Sequence, residues 1–104
     1  MTHPAMQFDD VVHQKVRFGA LAILSETDRA DFAYLKSSLD VTDGNLSTHL
    51  KALEQAGYVS LAKEFVANKP RTWVAITTHG RQAFESELEL LRGILNERDG
   101  KKRS

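Results

Sequence analysis

A mainly α-helical chain with one β-hairpin, an α+β fold in the order α-α-α-β-β-α, is the class this sequence predicts. Three observations lead there. Apolar residues recur at three- and four-residue steps over four separate stretches, the signature of one buried helical face. Between the third and fourth stretches the period drops to two on either side of an Asn/Pro-containing break, as a hairpin requires. No repeat, linker or low-complexity segment divides the 104 residues, which suit one domain with a modest core.

Each element has its own justification. Residues 10–25 read as a first helix, with Val12, Val16, Gly19, Ala20, Ile23 and Leu24 at helical spacing and Asp9 or Asp10 as its cap. Residues 26–29 look like a turn. A short helix follows over 31–39, with Phe32, Leu35 and Leu39 inward, and residues 40–42 make a tight connection. Thr42 is the natural N-cap of a third helix over 43–57, and Asp43 suits the positive end of its dipole. Gly57 ends that helix, where a left-handed residue is wanted.

From Tyr58 the pattern alternates, Val59, Leu61, Lys63 and Phe65 on one side and Ser60, Ala62 and Glu64 on the other. A second run over 71–77 is rich in β-formers, so 59–77 forms a hairpin, and Pro70, which lacks an amide proton, belongs near its tip. Thr77 and Thr78 cap a last helix over 80–97. Its stripe of Phe84, Leu88, Leu91 and Leu95 is widened by Ala83, Leu90 and Ile94. Residues 1–9 and 98–104 are expected to be flexible ends of a single domain spanning 1–104.

The third helix has two unlike sides. Leu46, Leu50, Leu53 and Gly57 form the dry stripe. Gly44, Asn45, Ser47, Thr48 and Lys51 lie opposite, with Gln55 beyond. A helix that needs only solubility usually fills its outer side with Glu and Lys. Short hydroxyl and amide groups ending in one Lys suit close approach to base edges and phosphates in a groove.

Composition narrows the alternatives. Without cysteine there can be no disulfide, thiolate metal site or cysteine nucleophile. Fourteen basic residues balance fourteen acidic ones, which argues against simple electrostatic binding to nucleic acid. The distribution is uneven, however: residues 41–83 carry five basic groups against three acidic ones, a mild excess on the segment holding the third helix and the hairpin. The start of the chain lacks a basic region followed by an apolar run, and the longest apolar run, 19–24, is too short to cross a bilayer. A cytoplasmic location is therefore the default expectation. His3, His13, His49 and His79 fall on different elements with no i, i+4 pair, so no metal site is expected. No phosphate loop or activated serine is visible, and neither an enzyme nor a cofactor is expected.

Two helices joined by a tight turn and followed by a hairpin make the winged helix-turn-helix plan, in which the helix after the turn enters the major groove. In the stretches VRFGALAIL, LSTHLKALEQAGYV, FVANKPRTWVAIT and THGRQAFESEL the sequence resembles small single-domain winged-helix transcriptional regulators of the MarR/ArsR type, over about residues 12–95. The resemblance implies a homodimer on pseudo-palindromic operator DNA. It departs from the thiolate-based metal sensors in having no cysteine, and the chain is too short for the extra helices that form an effector pocket in larger relatives.

The expected DNA contacts are Asn45, Ser47, Thr48, His49 and Lys51 on the third helix, and Lys63, Lys69 and Arg71 around the hairpin tip. Asn can pair with an adenine edge, short hydroxyls reach phosphate, and cations at a wing suit phosphates or a narrow minor groove. His49 lies beside the dry stripe, so it either packs at the helix edge with a nitrogen bonded to backbone or reads a base. Trp73 either packs under the wing or stacks on a partner. Each of these residues also has an ordinary reading, as helix-start polar groups or charges that keep a hairpin edge soluble.

Val12, Val16, Leu88, Leu91, Ile94 and Leu95 are the expected dimer interface, because the last helix is wider in apolar surface than a small core needs. The functional expectation is a homodimeric, sequence-specific repressor that binds double-stranded DNA, with no membrane association and an unidentified effector. The rival is a winged-helix protein-interaction module, which overall neutrality favours.

Overall fold

A computed structural model describes residues 8–103, with side chains through residue 96. The order is α1 (Lys15–Thr27), β1 (Arg29–Asp31), α2 (Phe32–Leu39), α3 (Asp43–Gln55), β2 (Val59–Val66), β3 (Lys69–Ile76) and α4 (Thr78–Arg103). The winged-helix class stands, with four helices and a hairpin. Both ends of the first and last helices differ from the expectation, and one strand is added.

The first helix begins later than expected because Asp9 is occupied elsewhere. Its Oδ1 accepts from the amides of Val11 and Val12, capping a turn ahead of α1. Gln14 caps α1 itself, its Oε1 accepting from Val16 and Arg17. That turn folds Val12 wholly into the chain's own core, so Val12, expected at a dimer interface, exposes no surface in the single chain. At the other end α1 runs on to Thr27 and closes at Asp28, which adopts φ 66°.

The segment read as a turn contains β1. This three-residue strand pairs antiparallel with β3, Ala30 opposite Val74, and makes a three-stranded sheet in the order β1-β3-β2. The hairpin joins β2 and β3 through Ala67 and Asn68, both at positive φ, the two-residue turn whose twist matches the strands. Pro70 sits one residue into β3, opposite Phe65. Only Val59 of β2 is buried, so the hairpin stands away from the body as a wing.

The last helix starts at Thr78 and extends past the expected end, to Arg103. Thr77 serves both sides of its start. Its Oγ1 accepts from Gly80 N–H and donates to the carbonyl of Gly57, fastening α4 to the end of α3. Leu21 and Leu24 of α1, Leu35 of α2, Leu46, Leu50 and Leu53 of α3, Val74 of β3 and Phe84 of α4 meet in one core. The leucine stripe of α3 is therefore its anchor, and the opposite flank faces outward.

Candidate nucleic-acid interface

Thr42 caps α3 as expected, its Oγ1 accepting from Asn45 N–H at 3.1 Å. The preceding turn is held by Asp40 at φ 54° and by an ion pair of 2.8 Å between Lys36 of α2 and Asp43. These contacts set the angle at which α3 leaves the body. With three leucines inward, Gly44, Asn45, Ser47, Thr48, Lys51 and Gln55 are all exposed. Thr48 bonds its own helix, donating to the Gly44 carbonyl at 2.9 Å. Among the described residues, the other polar side chains of this flank form no hydrogen bond or ion pair. Their donors and acceptors are open to a ligand.

His49 stands at the edge of this surface, half-buried. Its ring is bonded to a side chain rather than to backbone: Arg17 Nε donates to Nδ1 at 3.0 Å. Burial and then the nearby Arg17 charge push the His49 pKa down. Arg17 also borders a shallow groove with Ser47, Thr48, Lys51, Ala52 and Gln55. Sequence reasoning missed Arg17, since its place depends on how α1 crosses α3, 32 positions away. No local pattern carries that information.

The three expected wing cations are exposed but not together. Cross-strand partners share a face, and neighbours along a strand alternate. The register pairs Glu64 with Arg71 and Val66 with Lys69, which puts both cations on the face that carries Trp73, while Lys63 falls on the other with Phe65. Trp73 is half-buried on the wing's outer face. The Arg29 guanidinium lies 4.1 Å from its ring centre, Arg71 lies 5.7 Å away, and its indole N–H donates to Glu64 at 3.0 Å. Arg71 also approaches Asp31 at 3.8 Å. Phe65, 79% exposed near the tip, is a prominent feature that alternation alone would have turned inward. Arg81, part of the basic excess in the sequence, instead binds the Ser25 carbonyl and Asp28, away from the wing.

Of the expected dimer residues besides Val12, Val16 and Leu88 pack partly against the core, Leu91 and Ile94 are half-buried, and Leu95 is 58% exposed. Among the described residues no group of three His, Cys, Asp or Glu is placed to hold a metal ion. No described helix is long and apolar enough to cross a membrane.

Comparison with known proteins gives the same architecture. Residues 16–95 match the winged helix DNA-binding domain family. An uncharacterised protein of Methanocaldococcus jannaschii is 40% identical over 79 residues, covering 76% of this chain and 82% of that protein. A transcriptional regulator homologue from Pyrococcus horikoshii superposes with a TM-score of 0.83 at 32% identity, over 90% of this chain and 92% of its own. A MarR-family transcriptional regulator from Silicibacter pomeroyi gives 0.64 at 25% identity, over 80% of this chain and 55% of its own. The chain belongs to the winged helix DNA-binding domain family, as a MarR-like transcriptional regulator.

Proposed function

We propose that this protein represses transcription as a homodimer that sets two α3 helices in successive major grooves of an inverted-repeat operator. The observation that carries this reading is the exposed flank of α3, polar, short-chained and almost free of internal bonds. Asn45 is suited to an adenine edge, Ser47 and Thr48 to phosphate or base, and Lys51 to phosphate. Lys69 and Arg71, on one face of the wing, suit the flanking phosphates or minor groove, with Lys63 on the other face. The second subunit would sit on α4, around Leu95 with Leu88, Leu91, Ile94 and Val16. A two-fold pair would then space its readers by one DNA turn, roughly 34 Å.

Selection of bound sequences from random duplex DNA at two salt concentrations tests the reading. The expected result is an enriched inverted repeat whose affinity falls steeply with salt, as for roughly four to eight phosphates per dimer. Lys51→Glu and Arg71→Glu should each weaken binding across all sequences. A pool that shows no enrichment, or affinity indifferent to salt and to both substitutions, would overturn it in favour of a protein-interaction module.

A further inference from the structure

The geometry points to Arg17 as a positioning residue that holds His49 in a single neutral form, its proton on Nε2, as a fixed hydrogen-bond donor to DNA. The inference rests on the DNA-binding reading above and names how one residue of that surface is prepared for its contact.

The pairing leaves the imidazole no choice of tautomer. Arginine has only donors and keeps its charge at any ordinary pH. With Arg17 Nε donating to Nδ1 at 3.0 Å, Nδ1 must be the acceptor nitrogen. A neutral ring that accepts at Nδ1 carries its proton on Nε2. A second proton on Nδ1 would set N–H against N–H beside a permanent positive charge. Arg17 is itself held in place: Gln14 Oε1 takes its backbone N–H at 3.2 Å, and its Nη1 donates to the Val11 carbonyl at 3.4 Å.

The other side of the ring is available. Nε2 forms no hydrogen bond among the described residues, and none of their buried side-chain nitrogen or oxygen atoms lacks a partner. Nε2 therefore reaches solvent. His49 follows Asn45 by four residues, so the two share a side of α3. A free histidine would exchange tautomers and divide its time between donor and acceptor. This one is committed as a donor, so it suits a hydrogen-bond acceptor of the duplex, either a purine N7 or a phosphate oxygen, and not an exocyclic amino group.

Long-range proton–nitrogen spectra of the full chain, labelled at histidine, test the pair without DNA. The expected wild-type result is the Nε2–H tautomer at His49, assigned by its loss in His49→Gln. In Arg17→Gln the two nitrogens should average, and Arg17→Lys should average them too, because it keeps the charge without the fixed fork. On the selected duplex, Arg17→Gln and His49→Gln should each cost roughly ten-fold in affinity, and the double variant no more than either alone. Duplexes with 7-deazapurine at single positions, against duplexes with single methylphosphonates, then separate base from backbone as the acceptor. An averaged, charged or Nδ1–H ring in the wild type overturns the proposal, as does a tautomer unchanged in Arg17→Gln. Losses that multiply in the double variant also overturn it, since Arg17 would then act on DNA independently. Failure to bind any duplex removes the DNA-binding reading and this role with it. Normal binding with the wrong tautomer removes this role alone.

Discussion

Where residues 8–14 meet α4, the side chains of Asp9, His13, Tyr58 and Glu87 end on one another or on nearby backbone. Along the outer flank of α3, Asn45, Ser47, Lys51 and Gln55 end on nothing within the described protein. Glu87 is 1% exposed, and His13 Nδ1 meets its carboxylate at 2.6 Å while the Asp9 amide approaches at 3.4 Å. Asp9 takes the Tyr58 hydroxyl as well as the two amides of its own turn. Buried polar groups are costly without partners, so the seam is obliged to satisfy itself. The α3 flank draws its stability from the leucines behind it and leaves its hydrogen-bonding capacity unspent. Substitutions in the first region should therefore act on folding, and those in the second on binding.

The largest effect is expected at Gly80. A Cβ there would overlap the backbone carbonyl of Tyr58, which cannot swing aside as a side-chain tip can. Gly80→Ala should cost about 3 kcal/mol or more in urea unfolding, at the upper end for overpacking. A variant as stable as wild type would show that α4 is not pressed against the start of β2.

His13→Ala comes next. It leaves the Glu87 carboxylate with only the long Asp9 contact, and should cost about 2 kcal/mol. Glu87→Gln in that background should recover part of the loss. Neither change should alter which duplexes are selected.

Tyr58→Phe probes the same seam through pH. Burial works against ionised Asp9, but the Tyr58 hydroxyl, the Val11 and Val12 amides and His79 outweigh it, and its pKa is lowered from 3.8. A depressed carboxyl stabilises the fold above its unfolded pKa and stops doing so as pH falls through the folded value. The Asp9 bond first, then burial, pushes Tyr58 up to about 12 from 10.0. A raised phenol contributes fully below pH 10 and loses that contribution as pH climbs towards 12. The denaturation midpoint of wild type should drop at both ends. Tyr58→Phe should reduce the acid drop below about pH 4 and remove the tyrosine share of the alkaline one. Unchanged profiles would mean the bond carries no stability.

These two regions were not equally legible in the sequence. The α3 flank could be read because it depends on local facts: the helical period, the Thr42 cap and the choice of short polar residues. The seam could not, because Glu87 looks like any acid on an amphipathic helix until residues 8–14 fold over it. Asp9 looked like the cap of α1 for the same reason, and Val12 like part of an apolar stripe shared with a dimer seam. The strand Arg29–Asp31 has too few residues to show alternation, and its partner lies more than forty positions away. The Thr42 cap of α3 and the hairpin follow from neighbours in sequence. Strand β1, Arg17 and the seam follow from contacts that only the assembled fold creates.

Asn45→Ala reverses the pattern expected at the seam. The backbone N–H of Asn45 is what Thr42 caps, and that bond survives the change. Stability should stay within about 0.5 kcal/mol of wild type. Discrimination at one base pair of the selected site should fall by about 1 kcal/mol or more, read by competition between duplexes differing at that position. Loss of stability without loss of discrimination would place Asn45 with the seam.

The smallest expected effect separates the regions most sharply, because it uses the same substitution as the largest. A Cβ at Gly44 meets nothing within 4 Å, and the residue lies in the first turn of α3. Judged by folding alone, glycine is a poor choice there, and Gly44→Ala should stabilise by up to about 1 kcal/mol. If this flank is kept lean for a close approach to DNA, the added methyl should weaken duplex binding even as the melting temperature rises. Opposite signs from one methyl group would tie the shape of α3 to its ligand rather than to its fold. A variant that gains stability and binds as before would leave Gly44 as an ordinary helix-start glycine and narrow the contact surface to the side chains beyond it.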